Sequence, residues 1–300
     1  MTLYKNIDSN KNRSALLLGL FFVIVVALGY LFSLVYHSYI ILYIAIIISF
    51  IQALVSYYSG DKIALSISGA QQIEKKDNPA LWNIVENLAI TGGLPMPKVY
   101  VIPDDAPNAF ATGRDPEHAS VAVTTGLLNR LDKNELQGVI AHELSHIGNY
   151  DIRLSTIVVV LVGVIALLSN IFLRSRFFGF GGRDNKDSGG GQLQLILLIV
   201  AIVAAILAPI AATLIQLAIS RKREFLADSS GALLTRYPEG LASALEKISQ
   251  YTQPVRKVSG ATAHLYISDP MGKKVSYFQK IFSTHPSIAE RVKLLRGMSV

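Results

Sequence analysis

Ala141-His142-Glu143-Leu144-Ser145-His146 is the stretch on which the reading of this chain turns. Residues four apart on a helix stand one above the other on one face. His142 and His146 can therefore bring two imidazole nitrogens to a single metal ion, while Glu143, one step round the helix, can reach a water beside it. The flanks read as helix on independent grounds. Asp132 is a candidate N-cap, Glu135 three positions later completes a capping box, and Leu136, Val139 and Ile140 give an apolar face ahead of the histidines. Six of the 300 residues are histidine. A chance match to the pattern is expected in roughly one of two hundred chains of this composition. The plain alternative is a pair of ordinary surface histidines.

A catalytic zinc site takes three protein ligands and keeps one position open. The chain has no cysteine, so the third ligand must be His, Asp or Glu. Downstream, Ser220-Arg221-Lys222-Arg223-Glu224-Phe225-Leu226-Ala227-Asp228 puts Glu224 and Asp228 four apart on one helical face. Glu224 would bind zinc, and Asp228 would accept the free ring N–H of a ligating histidine and hold its tautomer. Taken without the first motif, the same segment reads as a solvated face whose carboxylates pair with Arg221, Lys222 and Arg223.

These segments resemble those of the HtpX-like membrane zinc endopeptidases, relatives of the CAAX prenyl protease Ste24 and of the mitochondrial Oma1 peptidase. His142-Glu143-Leu144-Ser145-His146 with Gly148-Asn149-Tyr150-Asp151 is similar to that family's active-site helix, and residues 220–228 are similar to its third-ligand segment. Ala261-Thr262-Ala263-His264-Leu265 and Thr284-His285-Pro286-Ser287, with Arg291 following, also resemble family blocks. The resemblance runs from about Asn78 to the C-terminus. It implies an α+β zincin-like (gluzincin) metallopeptidase domain, mostly helical, with one Zn2+ on His142, His146 and Glu224 and with Glu143 as catalytic base. It further implies that His285 helps to stabilise the oxyanion, that Arg291 in the same block is an oxyanion or substrate residue beside it, and that Asn108, Ala109 and Phe110 belong to a substrate-binding strand. The function it implies is quality control of membrane proteins, under stress among other conditions.

Composition sets the active site at a membrane. The chain is 51% hydrophobic and 16% charged, with a mean hydropathy of +0.41, against about a quarter charged for a soluble domain. Residues 15–35 and 39–57 are each near the ~20 apolar residues that cross a bilayer and carry no Asp, Glu, Lys or Arg. They are split only by Tyr36-His37-Ser38 and read as a helical hairpin. The basic leader of Lys5, Lys11 and Arg13 precedes a long segment without a small-x-small cleavage site, which reads as an uncleaved signal anchor. Residues 155–173 and 193–219 form a second apolar pair, the latter with Pro209 inside it, for about four transmembrane helices in all. A shallow or re-entrant hairpin is the alternative for this pair. Between them, residues 174–191 are rich in glycine and charge and read as a flexible loop. No Gly-x-x-x-x-Gly-Lys-Ser/Thr is present, so no nucleotide is expected.

The domain plan follows: residues 1–60 as the first hairpin, 61–154 and 220–300 as two parts of one catalytic domain, and 155–219 as the second membrane pair. An even number of spans separates His146 from Glu224, so both halves of the zinc site share one side. Lys5, Lys11, Arg13, Lys62, Lys75, Lys76 and Arg221 to Arg223 make that side cytoplasmic in a multi-pass protein of the cell membrane. Arg174, Arg176, Arg183 and Lys186 in the outer loop run against the rule. If the helix ran unbroken from His146 to Ser155, the metal would lie ~13 Å from the span, close to the membrane surface. Misfolded or membrane-protein substrates and the lipid bilayer are the expected partners. The net charge of +7 agrees with anionic headgroups, and no aromatic-and-basic patch points to nucleic acid.

Before the active-site helix, the pattern predicts a helix over residues 78–90 and strands over 98–102, 108–111 and 119–124. Pro107 suits an edge for the middle strand, and an edge beside the zinc would hold an extended peptide by adding it to the sheet. Two other classes stand against a peptidase. A channel or transporter would carry ionisable residues inside its spans, and these have none of Asp, Glu, Lys or Arg. A scaffold with a structural zinc would close the site with a fourth ligand, for which His264, His285 or Asp228 would serve.

Overall fold

Two long helices begin the chain, α1 (Leu3–Val35) and α2 (Tyr39–Ser68), packed side by side. A computed structural model describes residues 3–35, 38–178, 220–271 and 286–298. Among the described residues two helices are long and apolar enough to cross a membrane, over Ile7–Ala27 and Tyr39–Ser68. Ile40, Ile44, Ile47 and Ile51 of α2 are exposed, an apolar patch that only lipid or a partner covers at low cost.

Both helices outrun the apolar blocks that define them in sequence. α1 begins ahead of its block and carries buried Asn10 and Ser14 on its polar stem. α2 continues past residue 57, and its final turns place Ala64 and Leu65 against Ile102, Phe110 and Ala122. The start of α1 and the end of α2 thus both sit against the folded domain. Gly69, in the left-handed region at φ 68°, caps α2 with its N–H on the Leu65 and Ser66 carbonyls.

A four-stranded sheet follows in the order β1-β2-β4-β3: β1 (Gln71–Gln72), β2 (Lys98–Ile102), β3 (Ala109–Gly113) and β4 (Ala119–Thr124). β2 and β4 run parallel, with Val99 beside Val121, while β3 lies antiparallel on β4 with Phe110 opposite Ala122. The outer position of β3 agrees with the reading of Pro107. The helix read over 78–90 is α3 (Pro79–Thr91), capped by the Asn78 side chain accepting from the Leu81 N–H at 3.0 Å.

After a short helix, α4 (Thr125–Arg130), the helix that carries His142 and His146, α5, spans Lys133–Gly148. Its capping box is complete. Asp132 accepts from the Asn134 and Glu135 N–H groups, and Glu135 accepts from the Asp132 N–H at 2.8 Å. Leu136, Val139, Ile140, Leu144 and Ile147 are buried in the main core with α3 and the sheet, each contributing about 1.5–3 kcal/mol of transfer free energy.

The unbroken helix from His146 to Ser155 is not formed, and here the structure corrects the sequence reading. α5 ends at Gly148, α6 (Asp151–Phe178) starts three residues on, and the axes turn by 84°. Tyr150 sits in the left-handed region at φ 60°, a conformation that disfavours a bulky residue. Two cations lie over its ring, Lys11 Nζ at 4.5 Å and Arg153 Cζ at 5.1 Å from the centroid. The depth argument built on a straight helix therefore falls. If the bent pair is a single broken span, the described residues hold three candidate spans rather than two. α6 also takes up residues 174–178, assigned by sequence to the flexible loop. The rest of that loop, the fourth apolar block at 193–219 and His285 lie outside the described residues.

Among the described residues three more α-helices follow: α7 (Arg221–Thr235), α8 (Pro238–Gln250) and α9 (Ile288–Arg296). α7 and α8 lie directly on α5 through glycines. A Cβ on Gly138 of α5 would stand 2.6 Å from the Leu241 nitrogen of α8, and one on Gly231 of α7 would stand 3.0 Å from the His142 nitrogen. Backbones approach there too closely for any other residue to fit without a shift.

Candidate active site

The close approach at Gly231 brings the first turn of α7 over the histidines of α5. His142 Nε2 and His146 Nε2 are 3.1 Å apart, and Glu224 carboxylate oxygens lie 3.8 Å from the first and 3.6 Å from the second. Among the described residues these three, with His142 and Glu224 buried and His146 half-buried, form a group whose ligand atoms fall within 4.8 Å of one another. Ligands at the usual Zn–N and Zn–O lengths of a tetrahedral site stand about 3.3 Å apart. The donor set and its spacing therefore fit zinc.

Each histidine is held from behind by a carboxylate. His142 Nδ1 lies 2.9 Å from Asp228 Oδ1, and His146 Nδ1 lies 3.0 Å from Asp151 Oδ2. A carboxylate can only accept, which assigns the ring proton to Nδ1 in both and leaves Nε2 as the donor atom for a metal. Sequence reasoning places Asp228 in this role and misses Asp151. Asp151 belongs to a motif quoted above, but the chain turns between it and His146, so helical periodicity does not link the two.

Arg291 is wholly buried. Its guanidinium donates to Asp228 through Nε at 2.8 Å and NH2 at 2.6 Å, and through NH1 to the Ile267 carbonyl at 3.0 Å. It touches the His142 ring at 3.4 Å. The structure thus puts Arg291 behind His142, where it sets Asp228, with NH1 3.8 Å from Glu224 Oε2.

Burial and charge set the protonation of the group. Desolvation pushes His142 down to about 4, and Asp228 only partly restores it against the nearby Arg291 charge. Burial raises Glu143 to about 7, with the Glu224 charge adding to it and His146 and the Ala111 N–H hydrogen bond opposing. Burial alone would lower His146, but its hydrogen bond to Asp151 and the Glu224 charge overcome this and raise it to about 9. Asp228, though buried, is held below the ordinary carboxylate value by Arg291 and His142.

Glu143 lines the same cavity as both histidines, Glu224, Ala111 and His264. His264 Nε2 is 3.1 Å from the Ser155 carbonyl, and it is not part of the three-ligand group. Asp228 is engaged with His142 and Arg291. Among the described residues neither of these candidates for a closing fourth ligand joins the centre.

The residues assigned to a substrate strand have a different setting. Asn108 Nδ2 donates to the Ser268 carbonyl at 3.0 Å, and the Ala109 carbonyl accepts from the Ile267 N–H at 2.9 Å. Phe110 is buried edge-to-face on Tyr266 with ring centroids 5.1 Å apart. β3 is an edge strand of the sheet, but its first residues are paired to the chain's own residues 266–268. An incoming peptide that ran along this part of β3 would have to displace them.

Two imidazoles and a carboxylate of this geometry, with a glutamate in the same cavity, are the ligand set of a metallopeptidase, here flanked by membrane-length helices. Residues 75–299 match the family model of peptidase family M48, and the chain belongs to that family. It is 47% identical over 301 residues to a protease HtpX homologue of Caldanaerobacter subterraneus subsp. tengcongensis, covering 100% of this chain and 99% of that protein. A protease HtpX homologue of Tropheryma whipplei (strain Twist) is 51% identical over 246 residues, 82% of this chain and 81% of the relative. The crystal structure of S. mikatae Ste24p superposes with a TM-score of 0.52 at 19% identity, over 96% of this chain and 66% of that one. This last likeness speaks to fold alone. The HtpX likeness read from the motifs is borne out, and the chain is a membrane metalloprotease with a mostly helical fold.

Proposed function

We propose that the chain is a zinc-dependent endopeptidase that cleaves misfolded or membrane-embedded proteins at the cytoplasmic face of the cell membrane. The observation that carries this reading is the convergence of His142 Nε2, His146 Nε2 and the Glu224 carboxylate within 4.8 Å, with Glu143 in the same cavity. Zinc held there supplies a Lewis acid that lowers the pKa of water from about 15.7 towards 7 and polarises a carbonyl. Glu143 takes the proton of the attacking water and passes it to the leaving nitrogen, a role that suits a carboxylate raised to about 7. Asp228 and Asp151 keep the two imidazoles in the tautomer that turns Nε2 to the centre. Arg291 holds Asp228 ionised in its buried place.

The zincin-like (gluzincin) architecture, a total of about four spans and the division into two catalytic parts around a second membrane pair belong to the same proposal. The cytoplasmic orientation is supported by the basic residues Lys5, Lys11 and Arg13, which precede or begin the first span on the side where α1 meets the folded domain. Zinc content and casein cleavage by detergent-purified wild type and Glu143→Gln test the reading. Zinc in both with cleavage in wild type alone is expected; well-folded wild type without zinc would overturn it.

A further inference from the structure

We propose that Asn10, on the polar stem of the first membrane helix, is a positioning residue of the metal site, clamping Asp151 and Arg223 so that His146 and Glu224 meet at one centre. The inference rests on the zinc reading above and deepens it. Asn10 is buried although it lies in a segment that sequence assigns to a membrane anchor. Its Nδ2 donates to the Asn149 carbonyl at 2.9 Å and to Asp151 Oδ1 at 2.8 Å, across more than a hundred residues of chain. Its Oδ1 accepts from Arg223 NH1 at 3.3 Å. Two acceptor-only partners on one side and a donor-only partner on the other fix which way the carboxamide faces.

The consequence reaches both halves of the site. With Asp151 Oδ1 taken by Asn10 and by Arg223 Nε at 3.3 Å, Oδ2 is presented to His146 Nδ1 at 3.0 Å. Arg223 is the residue before Glu224 in the first turn of α7, so the same carboxamide steadies the turn that carries the third ligand. A buried network with its members satisfied is rigid, and rigidity in the outer shell is what orients metal ligands. Below Asn10, Leu17 and Phe21 of α1 pack with Leu154, Ile157 and Leu161 of α6. The carboxamide is therefore the upper end of a seam that joins the membrane helix to the helix after the active site. On this account the first span is part of the metal centre and not a passive anchor.

The test uses the full-length chain in detergent, with zinc affinity measured by chelator competition and ligand geometry by the visible spectrum of the cobalt-substituted protein. Asn10→Asp keeps the size and the acceptor for Arg223 but turns an oxygen towards Asp151. It should weaken zinc binding about tenfold or more and change the cobalt bands, while Lys11→Ala, which removes only the contact with the Tyr150 ring, should stay within about twofold of wild type. Folded Asn10→Asp with wild-type affinity and spectrum would overturn the proposal, and so would an equal loss in Lys11→Ala, which would assign the effect to helix docking. Should Asn10→Asp not fold, Asn10→Ala, which adds no charge, is read in the same way. Failure of both to fold while Lys11→Ala folds would mark Asn10 as a residue of the fold and overturn the proposal too. Wild type that binds no zinc would sink the zinc reading itself, a result distinct from all of these.

Discussion

Arg291 and Asp228 form a two-pronged ion pair in the interior, at 2.8 and 2.6 Å, with Asp228 in turn 2.9 Å from His142 Nδ1. The pair links α9 to His142 through one carboxylate. Removing the cation alone strands a buried negative charge.

Arg291→Ala is therefore expected to destabilise the protein by about 3–5 kcal/mol, read from denaturant unfolding in detergent. The double variant Arg291→Met with Asp228→Leu should recover much of that loss, since replacing a whole buried pair by apolar groups is often neutral. It should not recover zinc affinity, because His142 then lacks its acceptor. Recovery of both would show that the pair serves the fold alone.

Zinc uptake should be coupled to proton release. His146, raised to about 9, carries a proton at neutral pH, and a ligand nitrogen must lose it to bind metal. The apparent affinity should thus rise with pH and level off above about 9, and near pH 7 calorimetry in buffers of different ionisation enthalpy should find at least about one proton released per zinc. No release would contradict His146 as a ligand.

Activity should fall on the acid side. A general base works unprotonated, so kcat/KM is lost as pH drops through the pKa of Glu143, which is raised by burial to about 7. The charge of the metal opposes that rise, which puts the acid limb of the pH profile at or below about 7. A profile flat down to pH 4 would exclude Glu143 as the base.

Gly231 is a packing constraint with a chemical consequence. A Cβ there would stand 3.0 Å from the His142 nitrogen, so Gly231→Val should push α7 from α5 and withdraw Glu224 from the histidines. The cost expected for overpacking is about 1–3 kcal/mol, with zinc content falling in parallel and Gly231→Ala intermediate. Full zinc content in Gly231→Val would show that the helices tolerate the separation.

A reporter enzyme fused at the C-terminus should be active in the cytoplasm, on the face that holds the basic residues of α1. Activity only outside would reverse the orientation proposed.

Much of the fold was legible in local sequence. The capping box of Asp132 and Glu135, the strands at 98–102 and 119–124, the edge placement of β3 and the apolar hairpin follow from periodicity and short-range hydrogen bonding, which act over a few residues. The pairing of His142 with His146 is likewise a property of one helix. Glu224 and Asp228 were readable once a metal required a third ligand. What the sequence did not disclose are contacts made across breaks: the turn at Tyr150 that sets Asp151 behind His146, the burial of Arg291 under His142, the occupation of β3 by residues 266–268, and Asn10 reaching from the membrane helix to both halves of the site. These depend on how helices cross and where backbones approach, at Gly138 and Gly231 above all. The sequence by itself determined the candidate ligands, Asp228 behind His142 and the membrane-length apolar helices; only the tertiary structure decided that Asp151 backs His146, that Arg291 holds Asp228 and that Asn10 reaches both halves of the site, because hydrogen bonds made across a turn of the chain or between distant helices leave no periodic trace along it.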